Sequence, residues 1–222
     1  MTASPTPTAA SPAPLLLYHS PGACSLAVHI TLEEIGVPYE LAPVSVRDGA
    51  TQAPGFLAVN PKGRVPVLAV GGERLTELPA IQQYLALTHP QAALLPEDAW
   101  GRARCAEWFN YLSGTLHAVA YGGLWRPARF VEDAALFDAV TRQGLRNVRA
   151  CNAHVESLLQ GRRWAVGERF GCVDPFLFVF HRWGTAVGLD MARDCPAWSA
   201  HAQRMRERPA VQRALAQEGL GA

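Results

Sequence analysis

Cys24 is the side chain with the most direct route to chemistry. It lies in Pro21-Gly22-Ala23-Cys24-Ser25, a turn between an apolar run and a helical pattern. At a helix N-terminus, unpaired N–H groups and the positive dipole end favour a thiolate, so this position predicts a lowered thiol pKa. Cys24-Ser25-Leu26-Ala27 has no second cysteine at its fourth position. Disulfide chemistry at Cys24 therefore needs a thiol from outside the chain. A lone cysteine is also commonly a buried, inert side chain, and the spacing leaves both readings open.

Other groups are placed to work with such a thiol. Val65-Pro66 opens an apolar strand, a position where a proline need not donate to the ladder. Thr76-Glu77-Leu78 opens a helix whose first N–H groups can carry a ligand carboxylate. Glu77 can pair with a ligand ammonium, or simply favour a helix start. Asn110 and His117 are seven residues apart, two turns of an α-helix, so they are expected on one face. A histidine there would help hold a thiolate ionised or bind an acidic ligand. Trp125-Arg126-Pro127 and Trp183 add aromatic surface or core. Lys62 sits in a loop just before Val65-Pro66, where it can support an anionic ligand.

These positions need elements to hold them. Residues 15–18 read as a strand, 24–36 as a helix stopped by Gly36, and 39–46 as a second strand, together a βαβ unit with two parallel neighbours. Residues 47–55 are a weak helix or a loop. Residues 67–70 and 74–76 flank Gly71-Gly72 and predict a hairpin. A helix carrying Ile81, Tyr84 and Leu85 follows. Beyond His89-Pro90 only helical periods remain. Trp108, Leu112, Leu116 and Val119 form one stripe, and Phe137, Val140, Leu145, Val148, Val155 and Leu158 another. Residues 175–187 predict a central buried helix, and 196–208 a helix ended by Pro209. The expected organisation is a tail over 1–14, an α/β domain over 15–89, a linker over 90–98 and an all-helical domain over 99–222.

Composition limits the partners. The chain has 222 residues, 49% hydrophobic and 18% charged, with 20 basic against 19 acidic side chains. That balance excludes a broad nucleic-acid grip. Only one basic residue, Lys62, is lysine; the other nineteen are arginine. No apolar run reaches the roughly 20 residues of a membrane span. Five spaced cysteines without a C-x-x-C pair suit a reducing cytoplasm and give no metal site.

Three runs, residues 20–30, 60–66 and 75–81, resemble bacterial glutathione S-transferases of the beta class. The resemblance continues through residues 107–111, Leu116-His117, Arg126-Pro127, 174–183 and 206–211. It implies a thioredoxin-like α/β domain followed by an all-α domain, a homodimer, and glutathione as the external thiol. On this resemblance Cys24 faces the glutathione sulfur and can form a mixed disulfide with it. Val65 binds the cysteinyl backbone beside a cis Pro66. Glu77 and Leu78 hold the γ-glutamyl end, and Asn110 and His117 reach in from the helical domain. Arg47 and Lys62 take the place of glutathione-contacting lysines. Trp125, Trp183 and Tyr121 line the site of a hydrophobic electrophile. Asp174 caps the central helix, with Gly171 where Ser or Thr is usual. Leu78 stands where a Ser, Thr or Gly is frequent. The implied reaction is conjugation of glutathione to an electrophile, with thiol-disulfide exchange through Cys24 as a co-activity. Two alternatives stay open: glutathione-dependent disulfide reduction or dehalogenation, and a non-catalytic ligand-binding or protein-interaction role.

Overall fold

The computed structural model describes residues 14–221, so the segment read as a tail lies almost wholly outside the described residues. Strand β1 (Leu15–His19) runs parallel to β2 (Tyr39–Pro43), with Leu15 opposite Tyr39. Helix α1 (Leu26–Ile35) crosses between them and stops at Gly36, whose φ of 73° glycine adopts without a Cβ penalty. β2 is shorter than the expected 39–46. It ends at Pro43: the Val44 N–H still reaches the His19 carbonyl at 2.7 Å, but the Val46 N–H turns away to Ser20 Oγ at 3.1 Å.

Strands β3 (Val67–Val70) and β4 (Glu73–Thr76) form the expected hairpin about Gly71-Gly72. The sheet order is β2-β1-β3-β4, with β3 antiparallel to β1. Before β3, a 3-10 turn (Ala50–Gln52) and short helix α2 (Pro54–Leu57) resolve the ambiguous stretch. Helix α3 (Leu78–Thr88) then buries Ile81 and Leu85 completely.

Helix α4 (Ala99–Asn110) is capped by Asp98, which accepts the Gly101 N–H at 2.8 Å. It continues into a π-helix (Tyr111–Tyr121) and helix α5 (Gly122–Trp125). The wider turn is visible at Gly122, whose N–H reaches the His117 carbonyl five residues back. This shifts the expected stripe. Trp108, Leu112 and Leu116 are buried, but Val119 is 48% exposed, and Ala120 and Tyr121 occupy the core.

Helix α6 (Phe137–Leu159) buries Gly144, Val148, Cys151, Val155 and Leu159, while Leu158 faces solvent, one position off the expected stripe. Helix α7 (Asp174–Ala186) is the buried centre. Asp174 accepts the Gly171 N–H at 2.7 Å, as expected of its capping role. It also accepts the Ala165 N–H at 2.9 Å and lies 2.8 Å from His201 Nε2. Helices α8 (Met191–Asp194) and α9 (Pro196–Arg206) follow. Pro209 does more than end a helix: it opens α10 (Pro209–Gln217), because a proline at the first helical turn gives up an N–H that has no partner there anyway. α10 and α7 both pack on α1, so one apolar core joins the α/β and helical parts. No helix of the described residues is long and apolar enough to cross a membrane.

Candidate active site

The turn that carries Cys24 is fastened on three sides. Within it, Ser25 Oγ accepts the Ser20 N–H at 3.1 Å and donates to the Ser20 carbonyl at 3.2 Å. From the helical part, the Glu218 carboxylate accepts the Gly22 N–H at 2.8 Å, and Trp183 Nε1 donates to the Gly22 carbonyl at 2.9 Å. Gly22 itself has φ 71°, a conformation that a side chain would strain. Cys24, two residues on, is 8% exposed, and its thiol donates to the Val65 carbonyl at 3.4 Å. The Val65-Pro66 peptide is cis, as the resemblance implied.

The expected low thiol pKa is overturned. Burial pushes the Cys24 thiol up to about 12, outweighing the N–H groups of Ser25 and Cys24 and the charge of Arg126. Cys24 is therefore a protonated thiol at neutral pH. The helix start supplies the expected donors, but desolvation of an anion is the larger effect.

Cys24 opens into a cavity of about 260 Å³. Val65, Pro66, Thr76, Glu77 and Leu78 line it from the α/β side. Ser113, His117, Arg126, Arg129, Phe130 and Phe176 line it from the helical side. The His117 ring packs 5.1 Å from Trp183 and 5.9 Å from Phe180. Burial, then Arg126, Arg64 and Arg129, bring its pKa down to about 4. A neutral imidazole can make a hydrogen bond, but it brings no positive charge to a thiolate, contrary to the expectation.

Glu77 is a non-glycine residue at φ 69°, between β4 and α3. Such strain is characteristic of positions whose side chain or backbone has to face a site. Lys62 Nζ lies 2.6 Å from Glu77 Oε1 and 2.8 Å from Thr76 Oγ1. The lone lysine thus ties the loop before the cis peptide to the start of α3. Leu78 is 5% exposed, lining the cavity while filling core.

The remaining sequence candidates stand apart from the cavity wall. Asn110 is exposed and donates to the Ala106 carbonyl at 2.9 Å. Seven residues close two turns only in an α-helix; through the π-helix, His117 shares its face with Ser113 instead. Arg47 is exposed and outside the lining. Tyr121 is wholly buried, and Trp125 and Trp183 pack 4.6 and 5.2 Å from its ring. These three form an aromatic layer behind His117 and Phe176, not the surface of the cavity.

Several supporting residues were absent from the sequence reading. Arg64, Arg129, Ser113 and Phe176 come together only through tertiary packing. Asn60, which opens the 60–66 run, closes that loop by donating to the Arg64 carbonyl at 2.7 Å. Glu218 sits 2.9 Å from His29 Nδ1 and 3.4 Å from His19 Nδ1, buried. These three offer ligand atoms within 4.8 Å of one another. The carboxylate in that group is already engaged by the Gly22 N–H and His29, which makes it a fastening for the Cys24 turn.

This geometry has known counterparts. Residues 13–87 match the family model for the N-terminal domain of glutathione S-transferases, and residues 125–209 match the model for the C-terminal domain. The chain is 39% identical to glutathione S-transferase GstA of Escherichia coli over 207 residues, 92% of this chain and 98% of that one. It is 36% identical to glutathione S-transferase GST-4.5 of Xanthomonas campestris, again over 92% and 98%. Among solved structures, a Sulfitobacter glutathione transferase homologue with bound glutathione superposes with a TM-score of 0.87 at 35% identity, covering 93% of this chain and 99% of the other. A beta-class glutathione S-transferase from Sphingomonas chungbukensis gives 0.80 at 35% identity, covering 93% and 100%. With a cysteine against the Val65 carbonyl that precedes a cis proline, a helical wall across the cavity and likeness over nearly the full length, this chain belongs to the glutathione S-transferase family.

Proposed function

We propose that the chain conjugates glutathione to a small electrophile in the cavity between Cys24 and His117. Residues 15–89 hold glutathione, residues 99–222 supply the electrophile's wall, and 90–98 link them. The Val65 backbone pairs with the cysteinyl unit, and Glu77 with the N-terminus of α3 takes the γ-glutamyl end. The observation that carries this reading is the Cys24 thiol at the Val65 carbonyl, 3.4 Å away, on the wall of the cavity.

A protonated Cys24 has a defined role here. When glutathione binds, the S–H turns from the Val65 carbonyl to the glutathione sulfur and favours the thiolate there. Arg126 and its neighbours add positive potential, and His117 contributes a neutral hydrogen bond. The glutathione proton leaves to solvent, its sulfur bonds to the electrophilic carbon held alongside, and the electrophile's leaving group, halide for an aryl halide, departs with the electron pair of the broken bond. Exchange through a Cys24 mixed disulfide is the slower reaction, because a thiol held protonated is a poor attacker. Arg47, Lys62 and Asn110 act at the margin of the glutathione site, through its charge and loops. Trp125, Trp183 and Tyr121 back the electrophile wall.

The test is kcat/KM for a generic aryl halide. Cys24→Ser keeps a donor, and we expect it to stay within a few-fold of the parent. Cys24→Ala loses a hydrogen bond worth about 0.5–1.5 kcal/mol, up to roughly tenfold in rate. Equal rates for Ala and the parent would remove Cys24 from the mechanism. We further propose a homodimer in a reducing cytoplasm. The exposed Leu87 and Trp100, at 58% and 69%, are apolar side chains that a second copy would cover. Light scattering at the monomer mass would refute the dimer.

A further inference from the structure

Three guanidinium groups border the cavity with nothing to answer them. Arg64, Arg126 and Arg129 all line it. Among the described residues, none of the three side chains makes a hydrogen bond, an ion pair or a stacking contact with an aromatic ring. Some arginines elsewhere are matched, Arg104 with Glu107, Arg208 with Glu34 and Arg213 with Glu33, and others, such as Arg47, Arg142 and Arg149, stand singly on the exposed surface; Arg64, Arg126 and Arg129 differ in bordering one cavity together. The one carboxylate in the lining belongs to Glu77, already 2.6 Å from the Lys62 ammonium. Burial together with Arg126 and Arg64 lowers the pKa of Arg129, the signature of like charges held close.

Unmatched cations gathered in a cavity repel one another until an anion enters. Guanidinium groups suit a carboxylate in particular, because their N–H groups form a planar fork. Glutathione brings two carboxylates of its own; the α3 N-terminus takes the γ-glutamyl one and Arg64, beside Val65 on the α/β wall, is at hand for the other, while Glu77 meets the ammonium and the Val65 backbone the cysteinyl unit. Arg126 and Arg129 lie on the opposite wall, after α5. Beside them stands Phe130, 47% exposed, with the buried Phe176 reaching the cavity behind it. This wall therefore pairs flat apolar surface with positive charge.

We propose that the electrophile this site takes is an anion: a small aromatic or conjugated carboxylate. Arg126 and Arg129 hold its carboxylate, and its planar part lies against Phe130 and Phe176. Arg64 adds to the field from the other wall. This rests on the transferase reading above. For an aryl chloride probe, the glutathione S–H gives its proton to solvent. Its sulfur then forms a bond to the ring carbon, and chloride leaves with the C–Cl electron pair.

The experiment compares chlorodinitrobenzoate with the neutral chlorodinitrobenzene at saturating glutathione. We expect kcat/KM to favour the benzoate, and that preference to shrink as salt is raised, because the charges are partly exposed. Arg126→Gln and Arg129→Gln should each cut the benzoate-to-benzene ratio roughly tenfold, the loss of one charge-assisted hydrogen bond. No benzoate preference in the parent would overturn the proposal. So would variants that raise KM for glutathione and leave the ratio untouched, since the arginines would then serve glutathione. If neither probe turns over, the transferase reading fails by itself. Calorimetry of the two conjugates, carboxydinitrophenyl-glutathione and dinitrophenyl-glutathione, then decides the anion question without turnover. Roughly tenfold tighter binding of the carboxylated conjugate supports the proposal, and equal affinity overturns it.

Discussion

At the scale of single residues, the contest at Cys24 is between helix-start donors and desolvation, and desolvation wins. The motif around Cys24 made its place legible, because strand, turn and helix are local. Its protonation state was not legible, because burial comes from chain segments far away in sequence. Val65, Pro66, Glu77 and Leu78 were likewise readable from short runs. Arg64 and Arg129 were not, since nothing local marks an arginine as unmatched. Leu78 offers a test in which two effects oppose each other. It is 5% exposed and packs into the core, yet it stands at the first position of α3, facing the cavity. Leu78→Thr gives a hydroxyl to the γ-glutamyl carboxylate, so we expect KM for glutathione to fall by a few-fold, the worth of a hydrogen bond of about 0.5–1.5 kcal/mol. The same change removes buried apolar surface and should cost about 1–3 kcal/mol of stability by denaturant unfolding. An unchanged KM would place the γ-glutamyl group elsewhere.

At the scale of elements, periodicity placed the α-helices, missing by one position only at the end of α6, and misled where the helix was not α. The βαβ unit, the Gly71-Gly72 hairpin and α7 follow from alternation, turn residues and apolar density. The stretch Tyr111–Tyr121 adopts wider turns, so Val119 leaves the core, Tyr121 enters it, and Asn110 parts from His117. No residue in that stretch announces a π-helix; its register is set by what packs against it. One such contact is the crossing of α5 and α6. A Cβ on Gly144 would stand 2.3 Å from the Leu124 nitrogen and 2.6 Å from the Gly123 carbonyl carbon, both backbone. Backbone cannot step aside as a flexible side chain can. Gly144→Ala should therefore cost about 1–3 kcal/mol. It should also displace Trp125 and Arg126, which follow directly, and lower turnover of the anionic aryl probe more than glutathione affinity. Stability equal to the parent would mean that the two helices separate at no cost.

At the scale of the whole molecule, the C-terminal end closes onto the turn that carries the thiol. Glu218 holds the Gly22 N–H and His29, Trp183 holds the Gly22 carbonyl, and Arg208 and Arg213 pair with Glu34 and Glu33 of α1. The Cys24 turn is thus fastened by residues far along the sequence, and it should be sensitive to acid. Burial alone would raise the Glu218 pKa, but the His19 ring 3.4 Å away and hydrogen bonds with His29 and the Gly22 N–H outweigh it and bring the pKa below the ordinary 4.5. A carboxyl lowered on folding stabilises the fold above its unfolded pKa, and this contribution is lost as pH falls through the folded value. His117 and His181 act in the same direction by a different route. Both fall from 6.5 to about 4, chiefly through burial, so between those values the unfolded chain binds protons that the folded chain does not. Tm should therefore be flat near neutrality and fall as pH drops from 6.5 toward 4. Glu218→Gln keeps an acceptor for Gly22 but loses the charge. It should cost about 1–3 kcal/mol at pH 7, the range for a buried hydrogen bond to a charged group. That difference should narrow as acid neutralises the carboxylate in the parent. Thermal unfolding of both proteins across this pH range and on into stronger acid measures it. A gap that stays constant down to about pH 2, where any carboxylate is neutralised, would show that the charge on Glu218 is not what fastens the turn, and that its shape alone suffices.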